Sequence, residues 1–205
     1  MIKSVIFDVG GVLQLEKGMK KGHSRSIHER IAKFFDLDVD TWFDAIDSVY
    51  ARSMEGSVKE NIVLKTIAKN INVGIIKLEE VIFKVYQDNF KRNDELFDFA
   101  WKLKKKYKIA ILSDQWHASK KVLIKNKDAR RFDVVVISCD VGMRKPNPKI
   151  YQLTLKRLGL KPEETVFIDN RDWNTEPAEK LGMKTVLFKN NKQTFRDLRK
   201  LGVEI

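Results

Sequence analysis

The sequence has little cysteine and no long apolar stretch, and both absences exclude classes of protein. Cys139 is the single cysteine of the 205 residues, so the chain cannot form an internal disulfide, and a reducing cytoplasm fits best. No apolar run approaches the roughly 20 residues that a membrane-spanning helix needs. The first residues, MIKSVIFDVGG, enter a strand-like run at once, which argues against a signal peptide. We expect a cytoplasmic protein with no membrane partner.

Acidic residues are scarce relative to basic ones. The chain has 40 Lys and Arg against 28 Asp and Glu, a net charge of +12, and most of the excess lies in residues 93–205. Such a field attracts anions, either phosphorylated metabolites or nucleic acids. Zinc-finger spacing, aromatic–basic single-strand motifs and internal repeats are all missing. We therefore expect no nucleic-acid partner and interpret most of the lysines as solvated surface.

Five short segments rich in Val and Ile predict buried parallel strands. They are apolar on both faces, as is typical of strands covered on two sides, and they span residues 2–8, 107–112, 133–137, 164–169 and 184–188. Helical patterns lie among the later strands, near residues 116–127, 147–158, 174–182 and 191–200. This alternation predicts an α/β fold with a Rossmann-like, doubly wound parallel sheet.

Residues 15–92 lack a comparable strand and show helical patterns instead, near residues 25–35, 41–54, 58–70 and 78–90. A helical insertion directly after the first strand would emerge above the carboxyl ends of the strands, where open α/β sheets bind ligands. We therefore predict a core domain of residues 1–14 and 93–205, and a helical cap domain of residues 15–92.

Residues that can take part in catalysis or ligand binding follow the ends of four of the predicted strands. They are Asp8 and Gly10, Ser113 and Asp114, Lys145, and Asp169 with Asn170. These ends lie along one edge of a parallel sheet, so the groups can converge. There a carboxylate can act as a nucleophile, and a hydroxyl and an ammonium group can hold a phosphate. Carboxylate and amide oxygens also suit a hard cation.

Four motifs, FDVGGVL, ILSD, RKPNPKIY and VFIDNRDWN, occur in this order along the chain. Together they resemble the motifs of the haloacid dehalogenase (HAD) superfamily, over essentially the whole chain and with a helical cap after the first motif. The sequence is most similar to the phosphatases that resemble the N-terminal domain of soluble epoxide hydrolase. The resemblance implies the HAD fold and a Mg²⁺-dependent phosphatase that hydrolyses a small phosphorylated metabolite, of the sugar phosphate or nucleotide class.

The resemblance also implies a role for each motif. Asp8 would attack phosphorus and form an aspartyl-phosphate that water later hydrolyses. Magnesium would lie between Asp8, the backbone carbonyl of Gly10 and the pair Asp169 and Asn170, and would offset the repulsion between two anions. In the second and third motifs, Ser113 would donate a hydrogen bond to a phosphoryl oxygen beside Asp114. Lys145 would neutralise charge on the phosphoryl group and on Asp8.

The sequence departs from the common pattern of that family at three positions. Gly10 stands where the family usually has an aspartate that protonates the leaving oxygen, and general acid catalysis is typically worth about 10²–10⁴-fold. Asp114 stands in place of the usual asparagine and adds negative charge beside a phosphate. Asn170 replaces the second acid of the fourth motif, so the affinity for magnesium should fall. Asp172 is a candidate to replace the missing acidic metal ligand. Asp114 is a candidate either for that ligand or for the missing proton donor.

Several further side chains are candidates for substrate contact or support. They are His23, His28, His117, Arg144, Arg171, Trp173 and Asn174. For Trp173 we weigh a substrate wall against a cover for the sheet edge. Two other functions remain open: a catalytically impaired HAD protein that binds a phosphorylated ligand or a protein partner, and a 2-haloacid dehalogenase. The sequence leaves the substrate and the choice between monomer and homodimer undecided.

Overall fold

A computed structural model describes residues 1–17 and 25–204. Its strands are β1 Ser4–Phe7, β2 Gln14–Glu16, β3 Phe90–Arg92, β4 Lys108–Ser113, β5 Val134–Ile137, β6 Thr165–Asp169 and β7 Lys184–Leu187. Five of these strands form one parallel sheet in the order β5-β4-β1-β6-β7. The predicted parallel sheet is confirmed, because each of its five strands coincides with one of the five predicted segments to within one residue at the carboxyl end.

Helices connect these strands along the chain. They are α1 Arg25–Phe34, α2 Val39–Met54, α3 Glu60–Asn70, α4 Ile75–Asn89, α5 Asp94–Leu103, α6 His117–Leu123, α7 Asn126–Ala129, α8 Ser138–Val141, α9 Pro148–Leu158, α10 Asp172–Lys180 and α11 Asn191–Lys200. We call α1 to α4 the cap helices. They all lie between β2 and β3, whereas α5 to α11 pack around the main sheet.

The central strand β1 shows why the sheet is covered on both sides. Successive side chains of a strand point to opposite faces. Val5 and Phe7 join the hydrophobic cluster that includes α5 and α11. Ile6, between them, joins a second cluster with Ile150 and Leu155 of α9. All three side chains are fully buried, so a continuous apolar run is what this position in the sheet requires.

The helix α4 illustrates why the cap helices form. Its buried residues Leu78, Val81, Ile82 and Val85 recur at the spacing of one helical face. That face joins the same hydrophobic cluster as β1 and α5. The cap helices therefore share a core with the sheet, and the apolar pattern that makes them helical also fixes them over it.

The chain enters and leaves the cap helices through a small ribbon that the sequence did not predict. The strands β2 and β3 pair in antiparallel fashion, with Gln14 opposite Arg92 and Glu16 opposite Phe90. Each strand has only three residues, QLE and FKR. Such short and largely polar segments carry no strand period, which explains the omission. The ribbon contains both predicted domain boundaries, and the division into core and cap stays a prediction.

The segment of the cap helices around Gly56 also contacts the core, at α6 and α8. Gly56, in the turn after α2, has a φ of +64°, and a Cβ there would lie 2.1 Å from the carbonyl oxygen of Cys139. Close by, Ser53 Oγ lies 3.0 Å from His117 Nδ1.

No helix within residues 1–17 and 25–204 combines the length and apolar character that crossing a bilayer requires.

Candidate functional site

Asp8 follows directly from β1, at the carboxyl edge of the sheet. Its backbone N–H donates to the carbonyl of Ile168 on the neighbouring strand, so the loop is fixed where the side chain emerges. Lys145 reaches the same place from the segment before α9. Its Nζ donates to Asp8 Oδ1 at 3.0 Å, to Asp169 Oδ2 at 2.6 Å and to the carbonyl of Leu112 at 3.5 Å. The structure thus brings together residues 8, 145 and 169 of three separate motifs.

The ammonium group of Lys145 is enclosed by negative charge. Only 3% of Lys145 is exposed, and burial alone would lower its pKa. The carboxylates of Asp169, Asp8 and Asp114 outweigh that effect and raise the pKa above its usual value. Lys145 therefore stays charged at neutral pH, and Asp8 retains a cationic neighbour.

Asp169 supports this arrangement from beneath. It is fully buried, and both of its carboxylate oxygens accept hydrogen bonds. Asn174 Nδ2 donates to Oδ2 at 3.0 Å, and the backbone N–H of Arg171 donates to Oδ1 at 2.9 Å. These bonds orient Asp169 toward Lys145. Its predicted contact with magnesium stays a prediction.

Asp114 lies beside the ion pair and lines the cavity. Its Oδ1 accepts the backbone N–H of Lys145 at 3.0 Å. Burial raises the pKa of the Asp114 carboxyl, while the positive charges of Lys145 and Arg144 oppose the rise. The additional negative charge that the sequence placed here is therefore partly offset by a hydrogen bond and two cations.

Ser113 is deeper than its predicted phosphate contact suggests. It is fully buried, and its Oγ accepts a hydrogen bond from Gln115 Nε2 at 3.0 Å. Gln115 lines the cavity and is held by Ser138, whose Oγ accepts the Gln115 backbone N–H at 3.0 Å. Gln115 is a site residue that sequence reasoning missed. Its place directly after Ser113-Asp114 was the available signal.

Asn170 has the feature expected of a cation ligand. Its Oδ1 is buried, and no donor within residues 1–17 and 25–204 reaches it. An unpartnered buried oxygen is costly, and a hard cation satisfies such an oxygen. Gly11, with a φ of +81°, makes room for this side chain, since a Cβ there would lie 2.3 Å from Asn170 Nδ2.

The oxygens of Asp8, Gly10 and Asn170 fit a hard cation such as Mg²⁺ chemically, because they are carboxylate, carbonyl and amide oxygens. The described part of the chain contains no group of three or more His, Cys, Asp and Glu side chains placed to hold a metal, so a cation here would also use the amide and carbonyl oxygens. Asp172, weighed as a compensating ligand, is exposed, and its Oδ1 accepts the backbone N–H of Trp173 at 2.8 Å.

A cavity of about 400 Å³ lies above Asp8, between the cap helices and the core. Arg144, Arg171 and Trp173 line it from the core, and Trp173 is 52% exposed. Trp173 is therefore a wall of the cavity more than a cover. The polar part of the floor is Asp8 with Lys145, so the cavity leads directly to the candidate nucleophile.

The histidines fall in different places. His28 lines the cavity from α1 but is only 2% exposed. Trp42 Nε1 donates to its Nδ1 at 2.9 Å, and burial lowers the pKa of His28 to about 4. His117 points toward Ser53 of the cap helices instead. His23 lies outside the described residues.

A parallel sheet that gathers Asp8, Lys145 and Asp169 at its carboxyl edge is an arrangement typical of hydrolases with an aspartate nucleophile. The family model of haloacid dehalogenase-like hydrolases matches residues 2–182. The chain therefore belongs to the haloacid dehalogenase-like hydrolases, as the four motifs predicted.

Individual relatives agree with this assignment. Bifunctional epoxide hydrolase 2 of Mus musculus is 42% identical over 73 residues, which cover 36% of this chain and 13% of that protein. Glyceraldehyde 3-phosphate phosphatase of Methanopyrus kandleri is 28% identical, over 94% of this chain and 86% of that protein. A HAD family enzyme of Bacteroides thetaiotaomicron, crystallised with magnesium and inorganic phosphate, has the same fold. Its TM-score is 0.74 at 24% identity, over 92% of this chain and 95% of that chain.

Proposed function

We propose that this chain is a magnesium-dependent phosphatase that hydrolyses a small phosphomonoester through an aspartyl-phosphate on Asp8. The observation that carries the proposal is the placement of Asp8 beside Lys145 at the floor of a cavity lined by Arg144 and Arg171. Two arginines and a lysine favour an anionic ligand, and a carboxylate at the floor can attack it. The phosphatase name of the Methanopyrus kandleri relative supports the same class of substrate.

The contacts of Asp8 suggest how the reaction proceeds. Lys145 donates to Oδ1, so we assign Oδ2 as the attacking oxygen. Oδ2 forms a bond to phosphorus while the ester P–O bond breaks, and the departing oxygen keeps the electron pair and takes up a proton. Water then attacks phosphorus, the Oδ2–P bond breaks with its electron pair returning to Asp8, and inorganic phosphate and the proton of the attacking water are released. Lys145 stabilises the charge on Asp8 and on the transferred group.

The oxygens of Asp8, Gly10 and Asn170 would hold magnesium in this proposal. The ion, when bound, would reduce the repulsion between the phosphate dianion and the carboxylate. Asp114 is our candidate for the proton donor that position 10 does not supply. Burial raises its pKa, which favours the protonated form, and it lines the cavity beside Asp8.

Turnover of p-nitrophenyl phosphate with and without Mg²⁺ tests the proposal, because its good leaving group needs little help from an acid. We expect activity that depends on Mg²⁺ and that falls by roughly 10⁴-fold or more in Asp8→Asn. Asp98→Asn, an exposed carboxylate on α5, is the matched control. No turnover would favour the phospholigand-binding alternative, and metal-independent chloride release from 2-chloropropionate would favour the dehalogenase.

A further inference from the structure

The cavity above Asp8 is walled by aromatic rings on both sides. Trp173 lies at the start of α10 on the core side and is 52% exposed. Tyr50, from α2, lies on the side of the cap helices and is half-buried. The remaining wall combines polar residues, among them Glu16 and Asp114, with apolar and aromatic ones. It includes Ile27, Met54, Tyr86, Phe90 and Leu123.

Three polar groups of that wall are already engaged. Tyr86 Oη accepts a hydrogen bond from Trp116 Nε1 at 3.0 Å. His28 Nδ1 accepts one from Trp42 Nε1 at 2.9 Å. Ser119 Oγ donates to the Trp116 carbonyl at 3.1 Å. A substrate hydroxyl that meets these three groups would have to compete for them, and a buried hydroxyl left unpaired is costly.

Positive charge stands beside the exposed ring. The guanidinium carbon of Arg171 lies 5.5 Å from the centre of the Trp173 ring, and Arg144 lines the same cavity. The cavity therefore has two arginines in its wall and Lys145 at its floor, which suits a ligand with an anionic phosphate. The rest of the ligand meets a mixed wall that includes the rings of Trp173 and Tyr50.

We propose that this cavity selects phosphomonoesters that carry a planar aromatic ring, with the ring against Trp173 and Tyr50 and the phosphate at Asp8. The inference rests on the proposed phosphatase function and narrows its substrate class from sugar phosphates toward ring-bearing esters. The volume agrees, because about 400 Å³ falls within the roughly 300–1,000 Å³ of pockets that enclose drug-sized ligands. A three-carbon ester would leave most of the aromatic wall without contact.

The comparison of 2-phenylethyl phosphate with 2-cyclohexylethyl phosphate tests this selectivity. Both esters release a primary alcohol and have similar apolar bulk, so they differ mainly in aromatic character. We expect kcat/KM to be about two- to tenfold higher for the phenyl ester, the size of an aromatic pair interaction. In Trp173→Leu this ratio should approach one, whereas Trp173→Phe should retain most of it.

The outcomes separate this inference from the proposed function. Equal kcat/KM for the two esters in the wild-type protein would overturn the selectivity and leave the phosphatase assignment intact. If neither these esters nor p-nitrophenyl phosphate is hydrolysed, the phosphatase assignment fails. Binding of both esters to Asp8→Asn, followed by tryptophan fluorescence, then decides the ring preference. Tighter binding of the phenyl ester supports it, and equal binding refutes it.

Discussion

Lys145 and Asp169 form a buried ion pair in which Nζ lies 2.6 Å from Oδ2. The side chain of Asp169 is fully buried and that of Lys145 is 1% exposed. Removal of either partner would therefore leave the other charge buried without its partner. Because Lys145 also holds Asp8, the same ammonium group serves both the stability of the sheet edge and the proposed chemistry.

Lys145→Met should lower both stability and activity. Removal of one partner of a buried ion pair typically costs about 3–5 kcal/mol, because a charge is left uncompensated. We expect a loss of this size in the free energy of unfolding, measured with urea. Lys149→Met, at an exposed position of α9, is the matched control and should change little. Equal unfolding midpoints for Lys145→Met and the control would show that the ion pair contributes no stability.

Gly11→Ala should weaken magnesium binding. A Cβ at this position would lie 2.3 Å from Asn170 Nδ2 and would displace the amide whose oxygen is our candidate ligand. Gly202→Ala is a close control, because Gly202 has a similar φ of +83° with no atom within 4 Å of the added Cβ. We expect a higher Kd for Mg²⁺ in Gly11→Ala than in Gly202→Ala, measured by titration calorimetry. The same Kd in both variants would remove Asn170 from the metal site.

Gly56→Ala should disturb the contact between the cap helices and the core. The added Cβ would lie 2.1 Å from the carbonyl oxygen of Cys139, and overpacking of this kind costs about 1–3 kcal/mol. Gly159→Ala has a comparable φ of +67° and open space around the Cβ, so it measures the backbone strain alone. We expect the larger loss of thermal stability in Gly56→Ala. Equal melting temperatures for Gly56→Ala and Gly159→Ala would show that the backbone at this contact shifts to accommodate the added Cβ without a loss of stability.

His28 should make the protein less stable in mild acid. Burial lowers its folded-state pKa to about 4 from 6.5, so the unfolded chain binds a proton first as the pH falls. Stability from this group is complete above pH 6.5 and is lost progressively down to about pH 4, by roughly 3 kcal/mol. His28→Asn keeps an acceptor for Trp42 but does not titrate. Urea unfolding at several pH values should show a weaker pH dependence in this variant. The same pH dependence of the unfolding free energy in the wild-type protein and in His28→Asn would exclude His28 as the titrating group.

The sequence predicted the sheet well because β1 and β6 are continuous apolar runs with no competing interpretation. The helical character of residues 25–90 followed from a period that α4 repeats almost without exception. The ribbon of β2 and β3 could not be predicted, since its pairing joins segments far apart in sequence and neither segment has a pattern of its own.

The candidate site was predictable in its charged residues and less so in its neutral ones. Asp8, Lys145 and Asp169 lie within recognisable motifs, and the structure brings them into contact. The hydroxyl of Ser113 accepts a hydrogen bond from the side chain of Gln115, and an amide with no charge gives little signal in a single sequence. Three-dimensional packing decides such positions.

Gln14 lies opposite Arg92 in the ribbon. The polypeptide therefore leaves the main sheet and its surrounding helices, and rejoins them, at adjacent points. A short turn between these two residues would close the backbone without α1 to α4. An alternative lid grafted there would need equally close ends and an apolar face, because α1 to α4 share a hydrophobic cluster with the sheet. Exchange of the single contiguous segment between Gln14 and Arg92 can therefore change the cavity wall, while Asp8 and Lys145, which would perform the chemistry, lie outside that segment.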